Sequence, residues 1–365
     1  MNLERDIQKQ ALLLDEWRID ATSVCAVRDI IKKRKQEEYY DLFNFLVEWF
    51  STQSAMNVQT SGSTGQPKQM RVAKEAMVNS ACRTCRFLDL KSGESLLLCM
   101  NLKYIGAQMM VVRALVAGMR LIVVAPSAHP LAGLKQCVDF LSMVPLQLAS
   151  SLQTEGERNI LQAARVVIIG GGAIDTSLEK EIQIFPCRIY STYGMTETLS
   201  HIAMRCLNGS DKSAHYTPLP GVQISLSTRE TLVVSVPDVC NEPLETNDRS
   251  VLFPDGSFAV LGRADNVINS GGVKIQIEED ERALQQVFSF SFALTAAPDI
   301  YYGERVVLLA ETSRPDDATV QQWLTAAAQV LPRYHAPKKI VFVVSLPRTE
   351  NGKIDRVACR SIVSA

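Results

Sequence analysis

The chain has no uninterrupted apolar run approaching the length of a bilayer span, and residues 1–6 are polar rather than a charged-then-apolar leader. A transmembrane or exported protein is not expected from this, and the reading is cytoplasmic. Charge of one sign is also scarce, since 38 Lys and Arg face 39 Asp and Glu and leave a formal net charge of −1. No basic stripe for nucleic acid is therefore expected. The one basic block, Lys32, Lys33, Arg34 and Lys35, is followed by Glu37, Glu38 and Asp41 and reads as a solvated helix face. Nine scattered cysteines, an odd number, suit reduced thiols better than a disulfide framework. Cys82 and Cys85 fall in a stretch, 74–90, that reads as helix, with no second pair to complete a zinc site. There is no internal repeat and no low-complexity tract.

What is present is an ordinary globular composition, 47% hydrophobic over 365 residues, which is enough for more than one domain. Runs at 95–100, 121–125, 166–169 and 188–190 read as buried strands, and the segments between them, such as 131–140, as crossover helices. The fold class is accordingly α/β, a layered domain with a largely parallel sheet. Shorter strands at 222–226, 231–236 and 258–261 indicate a small β-rich part over about 211–262. Strands at 273–277, 306–310 and 340–344 with helices at 278–287 and 318–330 then indicate a separate α+β domain. The expected division is an N-terminal domain 1–262 and a C-terminal domain 263–365.

Residues 60–68 gather Thr60, Ser61, Gly62, Ser63, Thr64 and Gly65 and close on Lys68. Glycines let the backbone approach an anion, hydroxyls add donors and the lysine adds a cation, so the loop reads as a triphosphate cradle. It is not a Walker loop, because Lys68 stands between Pro67 and Gln69. At 168–174 an apolar run enters Gly170, Gly171 and Gly172, a bare edge on which a flat ring can rest. A dinucleotide fingerprint fails there because Asp175 occupies the third glycine position. In 190–198, Tyr193 can stack on a base, Thr196 can donate to a phosphate and Glu197 can hold magnesium.

These segments, with Gly262 to Asp265, residues 270–274 and residues 347–353, match in order the motifs of the adenylate-forming enzymes, which the chain resembles from Thr60 to Arg356. That superfamily includes acyl-CoA synthetases, peptide-synthetase adenylation domains and firefly luciferase. The resemblance implies ATP, magnesium and coenzyme A as ligands. It assigns the 60–68 loop to the β and γ phosphates, Gly171 and Gly172 with Tyr193 and Gly194 to the adenine pocket, and Thr196 and Glu197 to the α-phosphate and metal. Asp248 takes the ribose hydroxyls with help from Arg263, although Asn247 stands where the family has glycine. Lys353 is the catalytic cation for adenylation, Asp265 the hinge of a rotating C-terminal domain, and Gly271 and Gly272 line the channel for the pantetheine thiol.

For the acid, the few residues ahead of Thr60 predict an abbreviated first subdomain and disfavour long fatty-acyl substrates. Where many relatives carry a histidine, Lys103 and Tyr104 stand at the expected pocket wall. Residues 143–148 resemble the Val-Pro-x-Gln segment of the o-succinylbenzoate–CoA ligases of menaquinone synthesis. Gln147, Ser200 and His201, with Lys103 or Tyr104, are then the expected donors to an acid carrying an aromatic ring, a ketone and a second carboxylate. The expected activity is an AMP-forming acid–thiol ligase with no nucleic-acid partner and no membrane span. The rivals are a ligase for another aryl or short carboxylate, an enzyme loading a carrier protein, and a non-catalytic nucleotide-binding regulator.

Overall fold

The computed structural model describes residues 3–59, 69–174, 176–349 and 353–364. They fold as two compact units, residues 1–224 with 234–244, and residues 225–233 with 245–365.

The first unit opens with a hairpin of β1 (Ala11–Leu14) and β2 (Trp17–Asp20), then α1 (Val24–Lys33) and α2 (Tyr40–Trp49). Each helix buries one stripe, Val24, Val27 and Ile31 in α1 and Leu42, Phe43, Leu46 and Trp49 in α2. Lys32 to Lys35 face outward, as their mixed-charge surroundings predict. A second hairpin pairs β3 (Ala55–Gln59) with β4 (Gln69–Ala73), the pairing Gln59↔Gln69 closing onto the 60–68 loop, which itself lies outside the described residues. From there α3 (Lys74–Phe87), β5 (Ser95–Leu98), α4 (Ile105–Ala117), β6 (Arg120–Val123) and β7 (Phe140–Met143) follow. The unit continues with α5 (Pro145–Leu152), α6 (Glu155–Ala163), β8 (Val166–Ile169), α7 (Thr176–Glu181), β9 (Arg188–Gly194), β10 (His201–Cys206) and β11 (Thr217–Pro218).

Nine strands form one sheet in the order β11-β10-β9-β8-β7-β5-β6-β1-β2. The stretch from β9 to β1 is parallel, with antiparallel strands only at the two edges. Central strands buried on both faces read as unbroken apolar runs, which is why Val166–Ile169 was legible without alternation. The expected helix at 131–140 is absent. Pro130 and Gly133, the latter at φ +80°, break that segment into a turn, and β7 begins at Phe140. The loop is held instead by the buried Glu157 carboxylate, which accepts hydrogen bonds from His129, the Leu131 amide, Ser151 and Thr154.

A four-stranded sheet follows in sequence order, β12 (Gln223–Leu226), β13 (Thr231–Ser235), β14 (Leu244–Leu252) and β15 (Phe258–Arg263). The second unit continues with β16 (Val267–Ser270), β17 (Val273–Gln276), α8 (Ile277–Leu284), β18 (Phe292–Asp299), β19 (Gly303–Glu311), α9 (Asp317–Val330), β20 (Lys339–Val343) and α10 (Arg356–Ser364). The strand at 292–299, unread in the sequence, pairs antiparallel along the whole of β19. Its small residues Ala293, Ala296 and Ala297 let the helices approach, and they dilute the apolar signal. Arg356 fixes α10 by donating to both carboxylate oxygens of Glu281, which also accepts from the Leu294 amide.

β9 is anchored at its start by Asn208, whose buried amide accepts from the Ile189 amide and donates to the Phe185 and Cys187 carbonyls. Asn208→Ala should leave these buried backbone groups without partners and cost about 2–3 kcal/mol, measured as a lower urea midpoint at unchanged m-value. A change within about 0.5 kcal/mol would mean that water replaces the amide.

Candidate active site

Ligands of open parallel sheets settle at the carboxyl edge of the strands, where loops diverge and helix N-termini converge. In the first unit that edge gathers segments singled out in the sequence. The loop after β5 carries Lys103 and Tyr104, the helix α5 that follows β7 carries Gln147 in its first turn, the loop after β8 carries Gly171 and Gly172, and β9 ends in Tyr193 and Gly194 ahead of Thr196 and Glu197. Gln59, at the root of the 60–68 loop, forms a parallel bridge with Tyr104, which brings the base of that hairpin to the same edge.

The turn from β9 to β10 is tightly specified. A Cβ on Gly194 would lie 2.4 Å from the Ser200 carbonyl oxygen and 2.5 Å from His201 Cα, so only glycine allows the two strands to cross there. Thr198 ties the turn together, its hydroxyl bonding to Met195 and to the Ser200 carbonyl, while Leu199 takes a left-handed φ of 63°. Thr196 is buried and Glu197 is exposed. The Glu197 carbonyl accepts a hydrogen bond from the Cys240 thiol at 3.2 Å. Asp238, two residues before Cys240, is held by the buried Arg83. The turn leads into a strand, not the helix that such a polar turn often starts.

The other expected residues are placed as follows. Gly171 has φ +82° and, with Gly172, is exposed beside Val144 and Pro145. The Tyr193 ring packs on Tyr216 with centroids 5.8 Å apart. The Lys103 ammonium lies over the Tyr104 ring at 5.0 Å. Gln147 is buried, and its amide donates to the Cys99 and Ser127 carbonyls and accepts from the Val144 amide. Both amide hydrogens are thus engaged by neighbouring loop carbonyls.

One buried charge escaped the sequence reading. Arg113 sits in α4, a run that is otherwise apolar but for Gln108, and only 2% of its surface is exposed. Its Nη2 donates to Ser200 Oγ, and Nη1 reaches Met110 Sδ at 3.5 Å. Nε has no partner, and among the described residues no carboxylate lies within salt-bridge distance. Burial lowers the Arg113 pKa to about 10, with Cys85 opposing the shift. His201, expected as a pocket donor, opens β10 and is buried, with Nε2 2.9 Å from Thr84 Oγ1 and Nδ1 3.4 Å from Ser200 Oγ. Burial, then the nearby Arg113 and Arg83, push its pKa well below the ordinary 6.5. A lone arginine in the apolar run Ile105–Ala117 was the available signal.

In the second unit, Asp248 and Arg263 are register partners across β14 and β15, with Arg263 Nη1 3.9 Å from the Asp248 carboxylate. The Arg263 fork is engaged mainly by Asp265, at 2.8 and 2.7 Å, which also accepts from Asn247. The Lys353 ammonium feels both charges: partial desolvation lowers its pKa from the lysine value, Asp248 raises it and Arg263 lowers it further. Gly271 and Gly272 have φ of 58° and 85°, and a Cβ on Gly271 would lie 2.9 Å from the Tyr302 ring.

The family model for AMP-binding enzymes matches residues 15–239. The chain belongs to that family. It is 27% identical to the 2-succinylbenzoate–CoA ligase of Bacillus mycoides over 98% of its own length and 79% of that protein's. Among solved structures it is 33% identical to an acyl-CoA synthetase (AMP-forming)/AMP-acid ligase II-like protein from Dyadobacter fermentans, covering 90% of this chain and 95% of that one at a TM-score of 0.60. The o-succinylbenzoate CoA synthetase of Bacillus subtilis, solved with its acyl-adenylate, shares the fold at a TM-score of 0.70 and 23% identity, covering 83% of this chain and 68% of that one. The chemistry of the family is that of adenylate-forming CoA ligases.

The environment of His201 has a consequence for stability. A histidine neutral in the fold but protonated once unfolded makes the unfolded state bind more protons, so stability falls as pH drops below about 6.5. The slope approaches about 1.4 kcal/mol per pH unit until the lowered native pKa is reached. His201→Asn should remove that slope, seen as a smaller loss of urea-unfolding free energy between neutral and mildly acid pH. Identical slopes for both proteins would show that His201 titrates normally in the fold.

Proposed function

We propose that the chain activates o-succinylbenzoate with ATP, releasing pyrophosphate, and passes the acyl group to coenzyme A, a step of menaquinone biosynthesis. The observation that carries the choice of acid is Arg113, a buried cation with no carboxylate among the described residues to neutralise it. Burying such a charge is costly, and a substrate bearing a second carboxylate supplies the missing anion. Ser200 beside it and the apolar length of α4 suit the rest of such an acid, and the names of the sequence relatives support the same reading.

In this reading the acid's reacting carboxylate attacks the α-phosphorus of ATP and pyrophosphate leaves. The thiol then attacks the acyl carbon and AMP leaves. The 60–68 loop, with Thr60, Ser61, Gly62, Ser63, Thr64, Gly65 and Lys68, would hold the β and γ phosphates. Gly171, Gly172, Tyr193 and Gly194 would bound the adenine, and Asp248, with Arg263, would take the ribose. Thr196 would donate to the α-phosphate. Among the described residues no three His, Cys, Asp or Glu converge, which suits magnesium, an ion that accepts one or two carboxylates and otherwise keeps water and phosphate ligands. Glu197, exposed at the turn, would hold it, and the ion would neutralise phosphate charge.

Lys353 would stabilise the approach of one anion to another, a contribution of several kcal/mol in the transition state, on the order of that of other preorganised donors. Residues 263–365 would then turn about Asp265 and bring Gly271 and Gly272 to the thiol channel.

Lys353→Ala should lower acid-dependent ATP–pyrophosphate exchange by about a thousandfold while thiolysis of preformed acyl-adenylate stays within about threefold. Equal loss in both half-reactions would remove Lys353 from its assigned step. In a panel of carboxylic acids assayed by pyrophosphate release, o-succinylbenzoate should give the highest kcat/KM, and Arg113→Met should erase its advantage over monocarboxylic aryl acids. A monocarboxylic acid winning with the native enzyme would overturn the choice of substrate.

A further inference from the structure

The proton positions around Ser200 can be assigned one by one. Thr84 is fully buried in α3, and its hydroxyl donates to the Ser80 carbonyl one turn earlier, at 3.3 Å. With its single hydrogen committed, Thr84 Oγ1 has only lone pairs to offer His201 Nε2 at 2.9 Å. The histidine therefore carries its hydrogen on Nε2 and a lone pair on Nδ1. Ser200 Oγ accepts from Arg113 Nη2, so its own hydrogen is free to point at that lone pair, 3.4 Å away. The opposite tautomer would set the Nε2 lone pair against those of Thr84 Oγ1, unless Thr84 gave up its bond to Ser80, and its Nδ1 hydrogen would share Ser200 Oγ with Arg113. A doubly protonated ring would add a third cation to a buried site that already holds Arg113 and Arg83.

We infer that His201, locked by Thr84 as the Nε2–H tautomer, is a positioning residue that orients the Ser200 hydroxyl and through it the Arg113 guanidinium, so that this pocket selects acids with a second anionic group. The inference rests on the reading of this cluster as the acyl pocket. The relay of neutral groups fixes the guanidinium in direction without discharging it, whereas a carboxylate in the place of His201 would neutralise Arg113 and compete with the substrate. Thr84 acts only through His201.

Two measurements test this. In protein labelled with 15N at histidine, four residues contribute, and the His201→Asn variant identifies the signal of interest. The expected spectrum has a protonated Nε2 and a bare Nδ1, unchanged from neutral to mildly acid pH. A protonated Nδ1 overturns the inference, whichever acid the enzyme uses, so this arm is separate from the choice of substrate. In kinetics, Thr84→Val should raise KM for o-succinylbenzoate about tenfold with KM for ATP and kcat within about twofold, and Thr84→Ser should restore the native value. A purely structural Thr84 would leave both KM values alone or disturb KM and kcat together, and either result overturns the inference. If Thr84→Val does not fold, His201→Asn, which keeps an acceptor near Nδ1, should stay within about threefold of native KM for the acid, while His201→Leu raises it about tenfold. Equal effects of the two would overturn the assignment.

Discussion

Parallel pairing of β5, β7, β8 and β9 is the constraint on which the first unit's site depends. Parallel strands all run the same way, so each must end at the same edge, and each needs a crossover that returns the chain to the opposite one. Segments far apart in sequence, at 101–104, 144–147, 170–172 and 193–197, are thereby delivered to one line without any contact among themselves having to be specified. The register holds them level: Met143 sits beside Ile169, and Ile169 beside Ser191. Slippage by one residue would turn both faces of the sheet over and destroy the cores packed on them, so the stability of the sheet and the alignment of the site are one property.

Against that rigid frame the departures from ordinary packing concentrate on one place. Gly194 crosses His201 where no side chain fits, Leu199 takes a left-handed conformation unusual for a leucine, and Arg113 is buried without an opposite charge. Each costs stability, and all three bear on the Ser200 region. In the proposed reading, ligand binding there recovers what folding gave up.

Much of this was legible in the sequence, and the exceptions have physical causes. Strands such as Val166–Ile169 declared themselves because two-sided burial demands an apolar run, and the family was readable because its motifs are made of few residue types in a fixed order. The 131–140 helix was misread because an apolar stretch was weighed above Pro130 and Gly133, and β18 was missed because its alanines carry little β signal. Gln147 shows a further limit. Its amide suits a pocket and a loop brace equally well in composition, and its bonds to the Cys99 and Ser127 carbonyls depend on loop positions that the sequence does not encode locally. Arg113 was passed over because it lies in a helix that reads as core, where a charge makes sense only once Ser200 is seen beside it.

The choice of neutral partners around Arg113 follows from electrostatics. A guanidinium buried beside a carboxylate would be satisfied in the free protein, and an incoming anion would have to displace that partner, so binding energy would be lost to the exchange. Beside serine, methionine sulfur and an uncharged imidazole the cation keeps its attraction, while the hydroxyl still sets its angle. Histidine serves here only if it stays neutral, and burial, helped by the two nearby arginines, presses its pKa down and secures that state. In the proposed reading the charge that awaits an anion therefore also helps keep His201 neutral, and removing Arg113 should disturb the protonation of His201 as well as the recognition of the acid.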